Sequence, residues 1–187
     1  MGANFSTMSL VRATHLACFS AWYGTQIWVT FFAGLTMIRY LPRHTFGYMQ
    51  SKLFPKYFML GVALSGISLA TFLIDNPISS SWSFEQKLQA ASHLISFLLV
   101  SGNAFYLSPQ TTNVMFEKHK LEKEEHAGQA IGAVEEDKAA KLRQNKRYVE
   151  LERSFSRLHG YSVLFALSSL LSHTVNIWFL AAHLRHT

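Results

Sequence analysis

The sequence has little cysteine and proline, and long parts of it carry no formal charge. Its 187 residues include one cysteine, Cys18, and four prolines, so an intramolecular disulfide framework is excluded. No Lys, Arg, Asp or Glu occurs in residues 14–38, 57–74, 88–107 or 158–184. The helices of a soluble bundle carry charged residues on their outer faces. A soluble globular fold is therefore excluded as well.

The four uncharged stretches have the length of membrane spans. They contain 25, 18, 20 and 27 residues, and a crossing helix needs roughly 17–25 mainly apolar residues. The mean hydropathy of the whole chain is only +0.12, because the segments between the stretches are rich in charge. We predict an all-α integral membrane four-helix bundle, forming a single domain over residues 1–187.

The basic residues predict the orientation of the bundle. Fourteen Lys and Arg fall in the first and third loops, residues 39–56 and 108–157, against three in the N-terminal, second-loop and C-terminal segments. Cytosolic loops carry the excess of basic residues, so we expect both termini outside or luminal, in the plasma membrane or secretory pathway. Gly2 fits a myristoylation pattern and Asn4 a glycosylation pattern, but these need opposite topologies, and we expect neither to be used.

The long third loop predicts a cytosolic helical hairpin. It contains ten basic and nine acidic residues, and Lys118–Glu122 and Asp137–Lys141 have the i, i+4 spacing of helical ion pairs. Glycines interrupt the pattern near residue 130, so one arm covers about 111–126 and the other runs from about 135 into span four. The alternative is a disordered, solvated charge run.

The first loop combines an apolar pattern with basic residues. Between Pro42 and Pro55, apolar residues recur at helical spacing and predict a short amphipathic helix on the cytosolic leaflet: Phe46, Met49, Leu53 and Phe54. Juxtamembrane cations attract anionic lipid headgroups, although determination of topology alone would also explain them. The candidate lipid contacts are Arg39, Arg43, Lys52, Lys56, Arg153 and Arg157.

Uncharged polar residues within the spans form a second candidate site. Gln26, His93, His173 and Asn176 should face the bundle interior, because unpaired polar groups are costly in hydrocarbon. They predict either interhelical hydrogen bonds that set helix register or a solute, metal or haem site. The depths of His93 and His173 differ by roughly 9 Å at 1.5 Å per residue, which disfavours a haem pair.

No catalytic, zinc or phosphate-binding motif is present, so we expect no enzymatic activity, cofactor, metal site or nucleic-acid binding.

Several stretches resemble the transmembrane protein 205 family. They include residues 24–31 (GTQIWVTF), 41–47 (LPRHTFG), 50–55 (QSKLFP) and 155–160 (FSRLHG). The resemblance implies a four-helix membrane protein whose molecular activity is not established. It also implies a link to platinum-drug resistance through export or vesicular trafficking. Span four contains no cysteine, so we do not expect a sulfur-based route for soft metals.

Together these patterns predict a membrane scaffold or trafficking component without enzymatic activity. Its expected partners are the bilayer, including anionic headgroups, and a protein bound at the cytosolic hairpin. The alternative function is export of a small solute or a metal along the polar cluster within the spans.

Overall fold

Every regular element in the described residues is a helix. The structure, a computed structural model, describes residues 2–183, with side chains for residues 7–182. The modification sites considered at Gly2 and Asn4 therefore lie outside the residues whose side chains the structure describes. Two π-helical segments, Trp28–Ala33 and Asn103–Leu107, join α-helices end to end. The α-helices are α1 Gly2–Ile27, α2 Gly34–Tyr40, α3 Arg43–Asp75, α4 Phe84–Gly102, α5 Ser108–Glu124, α6 Glu136–Gln144 and α7 Lys146–His183.

Three helices in the described residues are long and apolar enough to cross a membrane. They are Arg43–Asp75, Phe84–Glu124 and Lys146–Ala182, and they contain predicted spans two and three and span four except for its last residues. Predicted span one, residues 14–38, lies in the continuous helix formed by α1 and α2 but is not among these three. Its role as a span remains a prediction.

The long helices pack as a bundle whose polar residues face inward. α1 packs on α3, α4 packs on α3 and α7, and α1 also contacts α7. Gln26, Ser96 and His173 are buried, whereas Leu171 is 66% and Trp178 75% exposed. Soluble proteins show the opposite distribution. A polar interior beneath an apolar exterior is the arrangement that lipid requires, so the fold is that of an all-α membrane protein.

The apolar core of the bundle forms around Trp22. This side chain is buried against Tyr57, Phe58 and Val100. Gly61 provides the space, because a Cβ at that position would lie 2.4 Å from Trp22 Cη2. Close approach at glycine is a common way for membrane helices to pack.

The first-loop helix does not end at Pro55 as predicted. α3 continues from Arg43 through Pro55 to Asp75. Proline removes one backbone donor and usually kinks a helix, but Tyr57 and Phe58 pack against Trp22 immediately beyond it. This packing supports the helix where its hydrogen bonding is weakest.

Both arms of the predicted hairpin are present. α5 forms the first, and α6 with the start of α7 forms the second, so the disordered alternative is not supported. Asn145 separates α6 from α7, and its Oδ1 accepts the backbone N–H groups of Arg147 and Tyr148. α7 has 38 residues, or about 57 Å at 1.5 Å per residue. The hydrocarbon core is only about 30 Å thick, so the hairpin end stands outside it.

Candidate functional site

The polar residues predicted to cluster within the spans include part of a hydrogen-bonded network. Gln26 Nε2 donates to Ser169 Oγ over 3.1 Å. Ser169 Oγ shares a 2.7 Å hydrogen bond with Ser96 Oγ, which lies 2.9 Å from His173 Nδ1. We call these four residues the intramembrane seam. None is more than 1% exposed, and they join α1, α4 and α7.

The other two predicted members, His93 and Asn176, are buried beside the seam. The His93 ring lies 5.1 Å from that of His15 and 6.3 Å from that of His173. Asn176 Nδ2 donates to Ser172 in its own helix. Sequence reasoning named Gln26, His93, His173 and Asn176, all of which are buried, but it did not include Ser96 in the site, and it missed Ser169. Its i, i+4 spacing from His173 was the available signal.

Two pockets lie at the hairpin end, and no seam residue lines either one. Direct hydrogen bonds hold the seam helices together. Some buried polar atoms nevertheless have no hydrogen-bond partner: Gln26 Oε1, His173 Nε2 and Asn176 Oδ1.

The predicted lipid-contacting cations divide into two groups. Arg43 turns inward, and its Nη2 lies 3.3 Å from Glu122 Oε1. The other five residues are exposed and available to headgroups: Arg39, Lys52, Lys56, Arg153 and Arg157. Lipid contact by these five stays a prediction, whereas Arg43 belongs to a different site.

That site surrounds Glu122, whose side chain is fully buried. Tyr148 Oη donates to Glu122 Oε1 over 3.1 Å, on the same oxygen that Arg43 contacts. His44 Nε2 donates to the other oxygen, Oε2, over 2.7 Å. Lys118 Nζ is 3.9 Å from Oε1. We call these five residues the buried charge cluster; it joins α3, α5 and α7.

Lys118 is compensated as fully as Glu122. It is only 1% exposed, and its Nζ donates to Glu152 Oε2 over 2.6 Å. It also lies 4.7 Å from the centre of the Phe155 ring, in the geometry of a cation–π contact. Burial of a charge is tolerated only with such partners, so the cluster depends on all of its members.

The surroundings set the protonation of the cluster. Burial alone would raise the pKa of Glu122, but Arg43, the His44 hydrogen bond and Lys118 outweigh it and hold that pKa below its usual value. Burial, followed by the charge of Glu122, raises the pKa of Tyr148. At neutral pH Glu122 is therefore a carboxylate and Tyr148 a phenol that donates to it.

The hairpin turn attaches to α3 through its backbone. The N–H groups of Arg43 and His44 donate to the carbonyls of Ala130 and Gly128 over 3.0 and 3.1 Å. N–H groups in the first turn of a helix have no partner within the helix, so the turn satisfies them. Gly128 has φ +84°, and a Cβ there would lie 2.1 Å from His44 Nε2. Only glycine allows this approach.

A second histidine lies beside the cluster and lines a pocket. His119 Nε2 is 4.0 Å from Glu122 Oε2, and its ring centre is 4.2 Å from that of His44. Burial, followed by the proximity of His44, lowers the pKa of His119 to about 4, so it is neutral at pH 7. The pocket has a volume of about 260 Å³ and is lined by His44, Tyr48, Phe116, His119, Lys120 and Lys123.

Sequence reasoning did not find this site. It identified Lys118–Glu122 as a helical ion pair but could not predict its burial, because i, i+4 spacing is the same on a buried and on a solvated face. The link to His44, 78 residues away, has no local signal. In the LPRHTFG stretch, the sequence analysis assigned Arg43 to lipid headgroups and Phe46 to an amphipathic helix, and it gave His44 no role of its own.

Comparisons with known proteins agree with the fold. A family model described as "Domain of unknown function (DUF4149)" matches residues 17–120. The zebrafish (Danio rerio) protein named "Transmembrane protein 205" is 33% identical over 176 residues, which cover 93% of each chain. No solved structure matches. The similarity extends over nearly the whole length of both proteins, and we conclude that the chain belongs to the transmembrane protein 205 family.

Proposed function

We propose that this multi-pass membrane protein is a non-enzymatic scaffold or trafficking component whose hairpin binds a protein partner in the cytosol. The observation that carries the proposal is the buried charge cluster. It fixes α5, the hairpin turn and the start of α7 on α3, so the hairpin is a preformed platform beyond the membrane. A preformed surface loses little conformational entropy when a partner binds.

The intramembrane seam supports scaffolding over transport. Gln26, Ser96, Ser169 and His173 contact one another directly. Hydrogen bonds of this kind fix the register of neighbouring helices in lipid. A stable register places α3, α5 and α7 so that the hairpin can assemble at their ends.

The orientation can be tested by cysteine labelling. In a Cys18→Ser background, Ser79→Cys reports on the second loop and Gln129→Cys on the hairpin turn. A membrane-impermeant maleimide should label Ser79→Cys on intact cells, or in sealed vesicles of known sidedness if the protein is intracellular, but Gln129→Cys only from the cytosolic side. The opposite pattern would contradict the basic-residue count.

Partner binding can be tested by photo-crosslinking. A photoreactive amino acid at Gln144, exposed at the end of α6, should give discrete adducts that mass spectrometry identifies. The same group at Ser80 in the second loop is the control. Adducts absent from Gln144, or identical at both positions, would contradict a partner site on the hairpin.

Headgroup binding is tested by substituting four of the five exposed cations, all except Arg39. Each should contribute about 1 kcal/mol toward an anionic surface. The Lys52→Gln, Lys56→Gln, Arg153→Gln, Arg157→Gln variant should lose most of its preference for phosphatidylserine over phosphatidylcholine in native mass spectrometry. Lys87→Gln, in the second-loop segment, should retain it. Equal preference in the two variants would leave topology determination as the role of these cations.

Export of a small solute or a metal is the second candidate function. The partnerless polar atoms of Gln26, His173 and Asn176 favour it, because buried polar atoms normally have partners. The link to platinum drugs implied by family resemblance suggests cisplatin as the first solute to test. Cisplatin flux across the membrane of liposomes that contain the protein should be lower for the Gln26→Ala and His173→Ala variants than for the wild type. Absence of flux with the wild type would remove this candidate.

A further inference from the structure

We propose that His44, His119 and Glu122 bind a divalent transition-metal ion of the zinc class. Each offers one ligand atom, and these atoms all lie within 4.8 Å of one another. No motif predicted this site, because His44 precedes the other two residues by about 75 positions in the sequence. The proposal goes beyond the scaffold function and does not depend on it.

The ligand set suits such an ion. Zinc binds imidazole nitrogen and carboxylate oxygen, and sites with three protein ligands keep a fourth position for water. Imidazole also selects transition metals over calcium and magnesium, which prefer oxygen ligands alone. Among the described residues, no other group of three His, Cys, Asp or Glu side chains has this geometry.

The ligand atoms, which lie within 4.8 Å of one another, would complete the site after side-chain movements of up to roughly 1.5 Å. Glu122 Oε2 is 2.7 Å from His44 Nε2 and 4.0 Å from His119 Nε2. Ligand atoms around a tetrahedral zinc ion are roughly 3.3 Å apart, given metal–ligand bonds of about 2.0–2.2 Å. One distance must therefore lengthen and the other shorten, each by roughly 0.6–0.7 Å. The metal would replace the proton that His44 Nε2 shares with the carboxylate, as metal binding generally displaces ligand protons.

The two oxygens of Glu122 have separate partners. Oε1 contacts Arg43 and Tyr148, whereas Oε2 faces the two histidines. Partners beyond the ligands orient a metal site in this way. The cations need not repel the ion strongly, because Arg43 is paired with Oε1 and Lys118 with Glu152 at 2.6 Å.

The pocket beside the histidines gives an ion access. His44 and His119 contribute to its wall, and its volume of about 260 Å³ accommodates an ion with its bound water. The site would cross-link α3 to α5, so metal binding would also stabilise the attachment of the hairpin.

The test is calorimetric titration of the full-length protein in detergent with ZnCl2. The protein carries an affinity tag without histidine and is first stripped with EDTA. The wild type should bind one Zn²⁺ per chain. His119→Phe keeps a ring beside His44 but removes the ligand, so it should weaken binding by at least about 100-fold, because even outer partners of a metal ligand contribute about 10- to 100-fold.

His126→Asn is the matched control. His126 is an exposed hairpin histidine with φ +50°, and asparagine tolerates that backbone conformation. The Zn²⁺ affinity of the His126→Asn variant should equal that of the wild type. Hydrogen exchange of the metal-free proteins, which does not depend on metal binding, should show that His119→Phe leaves the hairpin folded.

Cobalt provides an independent readout if His119→Phe does not fold. His119→Cys restores a ligand, so it should bind Co²⁺ with an added thiolate charge-transfer band that the wild type lacks. Absence of saturable Zn²⁺ binding by the wild type at micromolar concentration would overturn the proposal. Wild-type affinity in folded His119→Phe, or the absence of the thiolate band in His119→Cys, would overturn it too.

Discussion

The intramembrane seam and the buried charge cluster both bury polar groups, and the two differ in charge. The intramembrane seam consists of an amide, two hydroxyls and an imidazole. The buried charge cluster contains a carboxylate, a guanidinium and an ammonium, with His44 and Tyr148 among them. All members of both are buried except Arg43, which is 31% exposed, so burial alone does not explain the difference.

The medium around each site explains the difference in charge. A charge near the bilayer centre is costly even when partners are available, so neutral hydrogen bonds are the groups that membrane helices can share. The hairpin stands beyond the hydrocarbon, where exposed side chains such as Glu152 can compensate a buried cation. The seam should therefore contribute modest stability, whereas the cluster should be sensitive to loss of any member.

Glu122→Gln should have the largest effect. It removes the carboxylate charge that Arg43 and His44 contact, whereas Lys118 retains Glu152. Removing one partner of a buried ion pair costs about 3–5 kcal/mol. The hairpin should open more often, and amide hydrogen exchange at Ala127 should become at least about 100-fold faster. Glu117→Gln, which removes an exposed pair with Lys120, should leave exchange nearly unchanged. Similar rates in the two variants would contradict a cluster that fixes the hairpin.

Gly128→Ala should have the next largest effect, with Gly132→Ala as its control. Both glycines have positive φ, +84° and +89°, but only at Gly128 would a Cβ meet another group, His44 Nε2. Left-handed backbone alone costs a non-glycine residue about 1–2 kcal/mol. The free energy of hairpin opening, from hydrogen exchange, should fall by this amount for Gly132→Ala and by more for Gly128→Ala. Equal losses would show that the approach to His44 is unimportant.

Gly61→Ala tests the apolar packing within the membrane. The added methyl group would lie 2.4 Å from the Trp22 ring, and overpacking of this kind costs about 1–3 kcal/mol. Gly24→Ala is the control, because no atom lies within 4 Å of its built Cβ. Unfolding by SDS in mixed micelles, followed by Trp fluorescence, should show destabilisation only for Gly61→Ala. Equal stability of the two variants would mean that the helices can move apart around Trp22 without a loss of stability.

The same two regions show what could be predicted from the sequence. The uncharged stretches correctly predicted three long apolar helices, and the paired charges correctly predicted the hairpin arms. Both patterns are local in the sequence and reflect the medium around each helix. The burial of Glu122 could not be predicted, since its partners Arg43, His44 and Tyr148 come from distant segments. The continuation of α3 through Pro55 depends on packing against Trp22, which the local sequence does not encode.

Ser169→Ala should have the smallest effect. Ser169 accepts from Gln26 and shares a hydrogen bond with Ser96, but hydrogen bonds between membrane helices contribute only about 0.6 kcal/mol on average and about 1.7 at most. SDS unfolding should show a loss in this range, with no change for Ser168→Ala, one position along α7. A loss as large as that of Glu122→Gln would contradict the distinction between a neutral seam and a charged cluster. The seam would then be an essential part of the fold, and neutral hydrogen bonds within the bilayer would stabilise the protein as strongly as a buried ion pair does outside it.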